Sequence, residues 1–101
     1  MRFLMKISLP QEPFNSAVRN GSAAKKMQQV LAGIKPEAAY FTEMNGRRTG
    51  ILIVELANTS AIPSLAEPWF LWFNAEVEFH PVMSAEDLGN AGLEELGKKW
   101  A

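Results

Sequence analysis

A chain of 101 residues, 48% apolar and 21% charged, has the size and composition of one globular domain. Ten basic against eleven acidic side chains leave a formal charge of -1, so no cationic field exists to hold nucleic acid or an anionic membrane surface. The lack of cysteine excludes disulfides and thiolate chemistry, and a single histidine, His80, leaves little for zinc or iron. No metal and no cofactor are expected.

The opening Met1-Arg2-Phe3-Leu4-Met5-Lys6 has a charged-then-apolar look, but Lys6, Ser8 and Pro10 interrupt it too early for a targeting segment. No window reaches the roughly 18 to 20 apolar residues of a membrane span, and a soluble cytoplasmic protein is expected. Phe3, Met5, Ile7 and Leu9 alternate with Leu4, Lys6 and Ser8, the period-two pattern of a strand with two different faces. Beyond the Pro10 to Pro13 break, Phe14, Val18, Gly21, Ala24, Met27, Leu31 and Ile34 recur at three- and four-residue steps and predict an amphipathic helix. Its cap is Asn15 or Ser16, or else the later Asn20-Gly21-Ser22, and Gly33 and Pro36 mark its end.

Ala38 to Glu43 is a second strand, and Asn45-Gly46 supplies the two positive-φ residues of a tight hairpin. The returning strand, Arg48 to Leu56, contains Ile51-Leu52-Ile53-Val54, apolar on both faces. Asn58-Thr59-Ser60 then caps a second helix carrying Ile62, Leu65, Ala66, Trp69, Trp72 and Phe73, with Pro68 placed to kink or split it. Ala75 to Val82 alternates as a fourth strand. Ser84-Ala85-Glu86-Asp87 opens a capping box, and a short, Gly-interrupted helix carries Leu88, Leu93, Leu96 and Trp100.

This order, β-α-β-β-α-β plus a C-terminal helix, predicts one ferredoxin-like α+β domain over residues 1–101, with both helices on one face of a four-stranded antiparallel sheet. Strands one and three are expected in the centre and parallel, with strand four beside strand one. Counting from the turn pairs Met44 with Arg47, Glu43 with Arg48, Thr42 with Thr49 and Tyr40 with Ile51. One face then holds Phe3, Met5, Ile7, Phe41, Leu52, Val54, Val77 and Phe79. The other holds Leu4, Lys6, Tyr40, Thr42, Ile51, Ile53, Glu55, Glu78 and His80, which is too apolar for water. Each aliphatic side chain left wet forgoes about 1.5 to 3 kcal/mol of burial, and a contiguous patch of that kind marks an interface. A homodimer through this sheet face is expected.

The element order, the doubly apolar Ile51 to Val54, the aromatic run Pro68-Trp69-Phe70-Leu71-Trp72-Phe73 and the strand Val77-Glu78-Phe79-His80-Pro81 together resemble the dimeric α+β barrel superfamily. That superfamily includes small antibiotic-biosynthesis monooxygenases, muconolactone isomerases and many members without an assigned reaction. The resemblance covers nearly the whole chain. It implies a dimeric barrel, and no catalytic signature of the superfamily matches residue by residue.

Trp69, Phe70, Trp72 and Phe73 span more than half of a helix circumference, so they cannot all face one core. Either some line a pocket for an apolar or aromatic small molecule, or one stripe fills the core and the rest pack on the C-terminal helix or a partner. His80 belongs to the one side-chain type whose ordinary pKa, about 6.5, suits proton exchange near neutrality. It shares a face with Glu78, Lys6, Tyr40 and Glu55. On the catalytic reading, a cofactor-independent isomerase or monooxygenase, His80 moves the proton and Glu78 or Glu55 orients it. Tyr40, Trp69, Trp72, Phe73 and Lys6 then line the ligand site. The rival reading is a non-catalytic structural or interaction dimer, in which Lys6 and either Glu76 or Glu78 are an ordinary cross-strand pair. Glu43, Arg47 and Arg48 flank the hairpin turn, where a solvated charge pair is the expected condition and an anion clamp the rarer alternative. The glycines match no phosphate loop, and the aliphatic third strand lacks the stacking aromatics of an RNA-recognition sheet.

Overall fold

A computed structural model describes all residues 1–101. The chain forms β1 (Arg2–Leu9), α1 (Gln11–Arg19), α2 (Ala23–Ile34), β2 (Ala38–Met44), β3 (Arg47–Glu55), a 3-10 turn (Thr59–Ala61), α3 (Ile62–Phe73), β4 (Glu76–Pro81), α4 (Ala85–Gly89) and α5 (Leu93–Lys99). The strands make one open antiparallel sheet in the order β2-β3-β1-β4, a ferredoxin-like α+β arrangement. The hairpin register runs Met44 opposite Arg47 to Ala38 opposite Ile53, as the turn count requires. Asn45 (φ 56) and Gly46 (φ 76) supply the left-handed turn.

β1 and β3 are the central strands, but they are antiparallel, with Phe3 opposite Val54 and Met5 opposite Leu52. The expected parallel relation is corrected by the hairpin itself. The α1–α2 crossover returns the chain to make β2 parallel to β1, and the tight turn then reverses it. β4 pairs antiparallel with the other side of β1, setting Lys6 opposite Glu78 and Leu4 opposite His80.

The first helical stripe is broken in two. Gly21 (φ 81) turns the chain between α1 and α2, and the apolar period continues across the break, so periodicity alone reads it as one helix. α3, in contrast, passes unbroken through Pro68. Proline removes one backbone hydrogen bond, but burial of Ala66, Trp69 and Phe73 against the sheet holds the helix together. Ser64 and Pro68 both line an open groove, so the carbonyl left without an amide is within reach of water.

The core lies on one side of the sheet. Met5, Ile7, Leu9, Leu52 and Val54 pack under Val30, Trp69 and Phe73, all nearly or fully inaccessible. Trp69 and Phe73 stack tilted with centroids 5.7 Å apart, and Phe14 meets Phe73 at 5.5 Å. No helix covers the opposite face.

The C-terminal segment leaves the body altogether. Every residue from Ala85 to Ala101 is exposed, including Leu88, Leu93, Leu96 and Trp100. The radius of gyration is 17.1 Å, against about 13 Å for a compact chain of this length. The capping box is formed as expected, with the Ser84 hydroxyl accepting from Asp87 N–H and the Asp87 carboxylate from Ser84 N–H. No helix is long and apolar enough to cross a membrane.

Candidate functional site

The most apolar concavity lies where the α1–α2 pair overhangs the edge strand β2 and its neighbour β3. β2 is an edge strand that the helix layer does not fully cover, so Phe41 stays 52% exposed although it points to the core side. Gly50 lies opposite Phe41, and a side chain there would start 3.3 Å from the Phe41 ring, so the glycine lets that ring lie across β3. Above it, α2 opens with the small residues Ala23 and Ala24. The result is a cavity of about 450 Å³ walled mainly by Leu9, Phe14, Ala24, Met27 and Phe41, with Arg48 on its rim.

Arg48 is half-buried. Its Nη1 donates to Asn15 Oδ1 at 2.8 Å, and its guanidinium lies over the Phe14 ring at 4.9 Å. The cross-strand neighbour Glu43 is turned away, its Oε2 accepting from Gly46 N–H at 3.1 Å. Arg48 takes part in none of the chain's ion pairs. It is not the solvated hairpin charge expected from the sequence. The missed signal is register, because Arg48 shares a face with Gly50, Leu52 and Phe41. Nearby, Glu12 is held below its ordinary 4.5, first by the hydrogen bond from the Ser16 hydroxyl and also by the Ser16 amide, Arg19 and Arg48.

The residues expected to form the site are divided between the two faces of the sheet. Trp69 and Phe73 are sealed in the core, and the Trp69 Nε1 there has no hydrogen-bond partner. Trp72 lies on the far side of α3 in a groove with α2, beside Pro68 and Leu71. Neither Trp72 nor Phe70 meets a C-terminal helix, since that segment projects away. Lys6, Tyr40, Glu55, Glu78 and His80 are all on the helix-free face.

There, His80 Nε2 lies 3.2 Å from Glu78 Oε1, and Lys6 Nζ lies 3.7 Å from Glu78 Oε2. Tyr40, Ile51, Lys6 and Glu78 form one row across four strands, so Tyr40 stands about 14 Å from Glu78 at ordinary strand spacing. Glu55 instead binds the N-terminal amine at 2.5 Å. His80, Glu78 and Lys6 are therefore brought together, while Tyr40 and Glu55 are not. A shallow polar hollow of about 280 Å³ lies beside them, lined by Lys6, Ser8, Arg47, Thr49 and Glu76. No three His, Asp or Glu side chains converge as metal ligands.

The chain belongs to a family described as a domain of unknown function, DUF3303, whose model matches residues 1–96. No curated protein matches it. The family brings no activity with it, so the functional reading rests on the geometry above.

Proposed function

We propose that this protein is a small homodimer whose protomers each bind an apolar or aromatic small molecule in the cavity between α1–α2 and β2–β3. The observation that carries the reading is the cavity. Its volume of about 450 Å³ falls in the usual range for ligand pockets, roughly 300 to 1,000 Å³, and its carbon walls with few polar groups are what such pockets have. The dimer is supported by the other face of the sheet, where Leu4, Ile51 and Ile53 lie half-buried with no layer above them and Tyr40 is 68% exposed.

Proton transfer by His80 with Glu78 belongs to this second face, and a reaction there needs the partner protomer to exclude water. Glu55, bound to the N-terminal amine, is too remote to orient His80. A second reading, a structural dimer with no ligand, is favoured by the closed packing around Trp69 and Phe73. Binding separates the two. A neutral aromatic or alkanol probe at a hundred times its Kd adds about 2.7 kcal/mol, which is roughly 10 °C or more in Tm for a chain of this size. Ala24→Trp, which fills the cavity from α2, should abolish that shift while the protein stays folded. No shift with any probe, or an unchanged shift in Ala24→Trp, rejects the cavity as the site.

A further inference from the structure

We propose that the ligand of the cavity is an amphipathic monoanion, a carboxylate carried on an apolar or aromatic body, and that Arg48 binds the carboxylate. The inference rests on the reading of the cavity as a ligand site and names the chemistry it selects. The walls offer carbon from Leu9, Phe14, Met27 and Phe41, and the only formal charge among the lining residues is that of Arg48.

Several features show this cation held ready for an anion. Arginine keeps its charge at every working pH and presents a planar fork of N–H donors that matches a carboxylate bidentately. Asn15 takes one of those donors and is neutral, so it orients the guanidinium without cancelling its charge. The face of the group is fixed over Phe14. The natural neutralising partner, Glu43 directly across the hairpin, spends its carboxylate on the Gly46 amide instead. Glu12, whose carboxyl Arg48 helps to lower, is held by Ser16 and paired with Arg19 at 3.7 Å, so no carboxylate stands within ion-pair distance of the Arg48 guanidinium and a ligand carboxylate can take that place.

The wall opposite has the same sign. α2 begins at the cavity with Ala23 and Ala24, the Ser22 side chain makes no capping bond, and the first turn contains no acidic residue. Its leading amides therefore keep their partial positive charge. An amine ligand meets two positive groups and a neutral one gains nothing from either.

The test compares matched probes by calorimetry: 1-naphthoate with 1-naphthalenemethanol, and decanoate with 1-decanol, against wild type, Arg48→Met and Arg48→Lys. Wild type should bind each acid about 10- to 100-fold more tightly than its alcohol, the usual worth of a hydrogen bond to a charged group. Arg48→Met should erase the preference and leave the alcohols' affinity within about twofold, which also shows that the variant is folded. Arg48→Lys keeps the charge but loses the fork, and should retain only part of the preference. Equal affinity for acid and alcohol in wild type, or a preference surviving in Arg48→Met, overturns the carboxylate assignment while leaving the cavity as a site. Tighter binding of 1-naphthyl phosphate than of 1-naphthoate also overturns it. Binding of no probe at all rejects the cavity reading together with it.

Discussion

Leu52 and Ile53 are adjacent on β3, are both branched aliphatics, and point to opposite faces of the sheet. Leu52 is fully inaccessible between Met5 and Ala39 and lies in the cluster that includes Trp69 and Phe73. Truncation to alanine there leaves a closed void, and such deletions cost about 3 to 5 kcal/mol. That is a large share of the total of roughly 5 to 15 kcal/mol expected for a domain of this size. Ile53, between Leu4 and Ala38, has no layer above it and is only half-buried. Ile53→Ala removes part of one side chain's burial and opens no void, so it should cost about 1 kcal/mol or less in the isolated protomer. Urea unfolding followed by far-UV circular dichroism at submicromolar protein measures both without a contribution from association. At about 4 to 8 °C per kcal/mol, Leu52→Ala should also lower Tm by roughly 12 °C or more. Equal losses at the two positions, or a loss below about 1 kcal/mol at Leu52, would refute the assignment of core and open faces.

The Asp87 carboxyl, accepting first from the Ser84 amide and then linked to the Ser84 hydroxyl, is held below its ordinary 3.8. A lowered carboxyl stabilises the start of α4 at pH values above its unfolded pKa, and this is lost as pH falls through the folded value. The Ser84 amide resonance followed through an acid titration should show a midpoint under 3.8; a midpoint above it contradicts the capping geometry. Because residues 85–101 are all exposed and make no hydrogen bond or ion pair with residues 1–83, ending the chain at Met83 should leave the urea stability of the rest within about 0.5 kcal/mol. A loss above about 1 kcal/mol in the monomer would show that the segment folds back. Amide exchange in α4 and α5 should be much less protected than in β1 and β3, since helices of 5 and 7 residues without a packing surface open readily.

The sheet was readable because its signals are local. Asn45-Gly46 fixes the turn, the turn fixes the register, and the register assigns Phe3, Met5, Leu52 and Val54 to one face and Leu4, Ile51 and Ile53 to the other. The direction of β1 relative to β3 follows from the same turn once the crossover is followed through, and that step separates the antiparallel centre from the parallel one expected. The α1–α2 break was hidden because the apolar stripe keeps its phase across Gly21. Pro68 overstated its effect, since packing at Trp69 and Phe73 outweighs one missing hydrogen bond. The site was less legible. A histidine and four clustered aromatics drew attention by residue type, while the cavity arises where an edge strand extends past the helix layer, which no periodicity reports. Arg48 was visible in the register as a cation on the greasy face, yet its freedom from Glu43 depends on the rotamer that Glu43 adopts at Gly46.

The helix-free face of the sheet is the feature on which the proposed homodimer rests. Sedimentation of the wild-type chain at micromolar concentration should show a species of twice 11.2 kDa, and Ile53→Lys, which places a charge at the centre of that face, should return it to the single-chain mass. A wild-type sample that sediments only at 11.2 kDa would contradict the account.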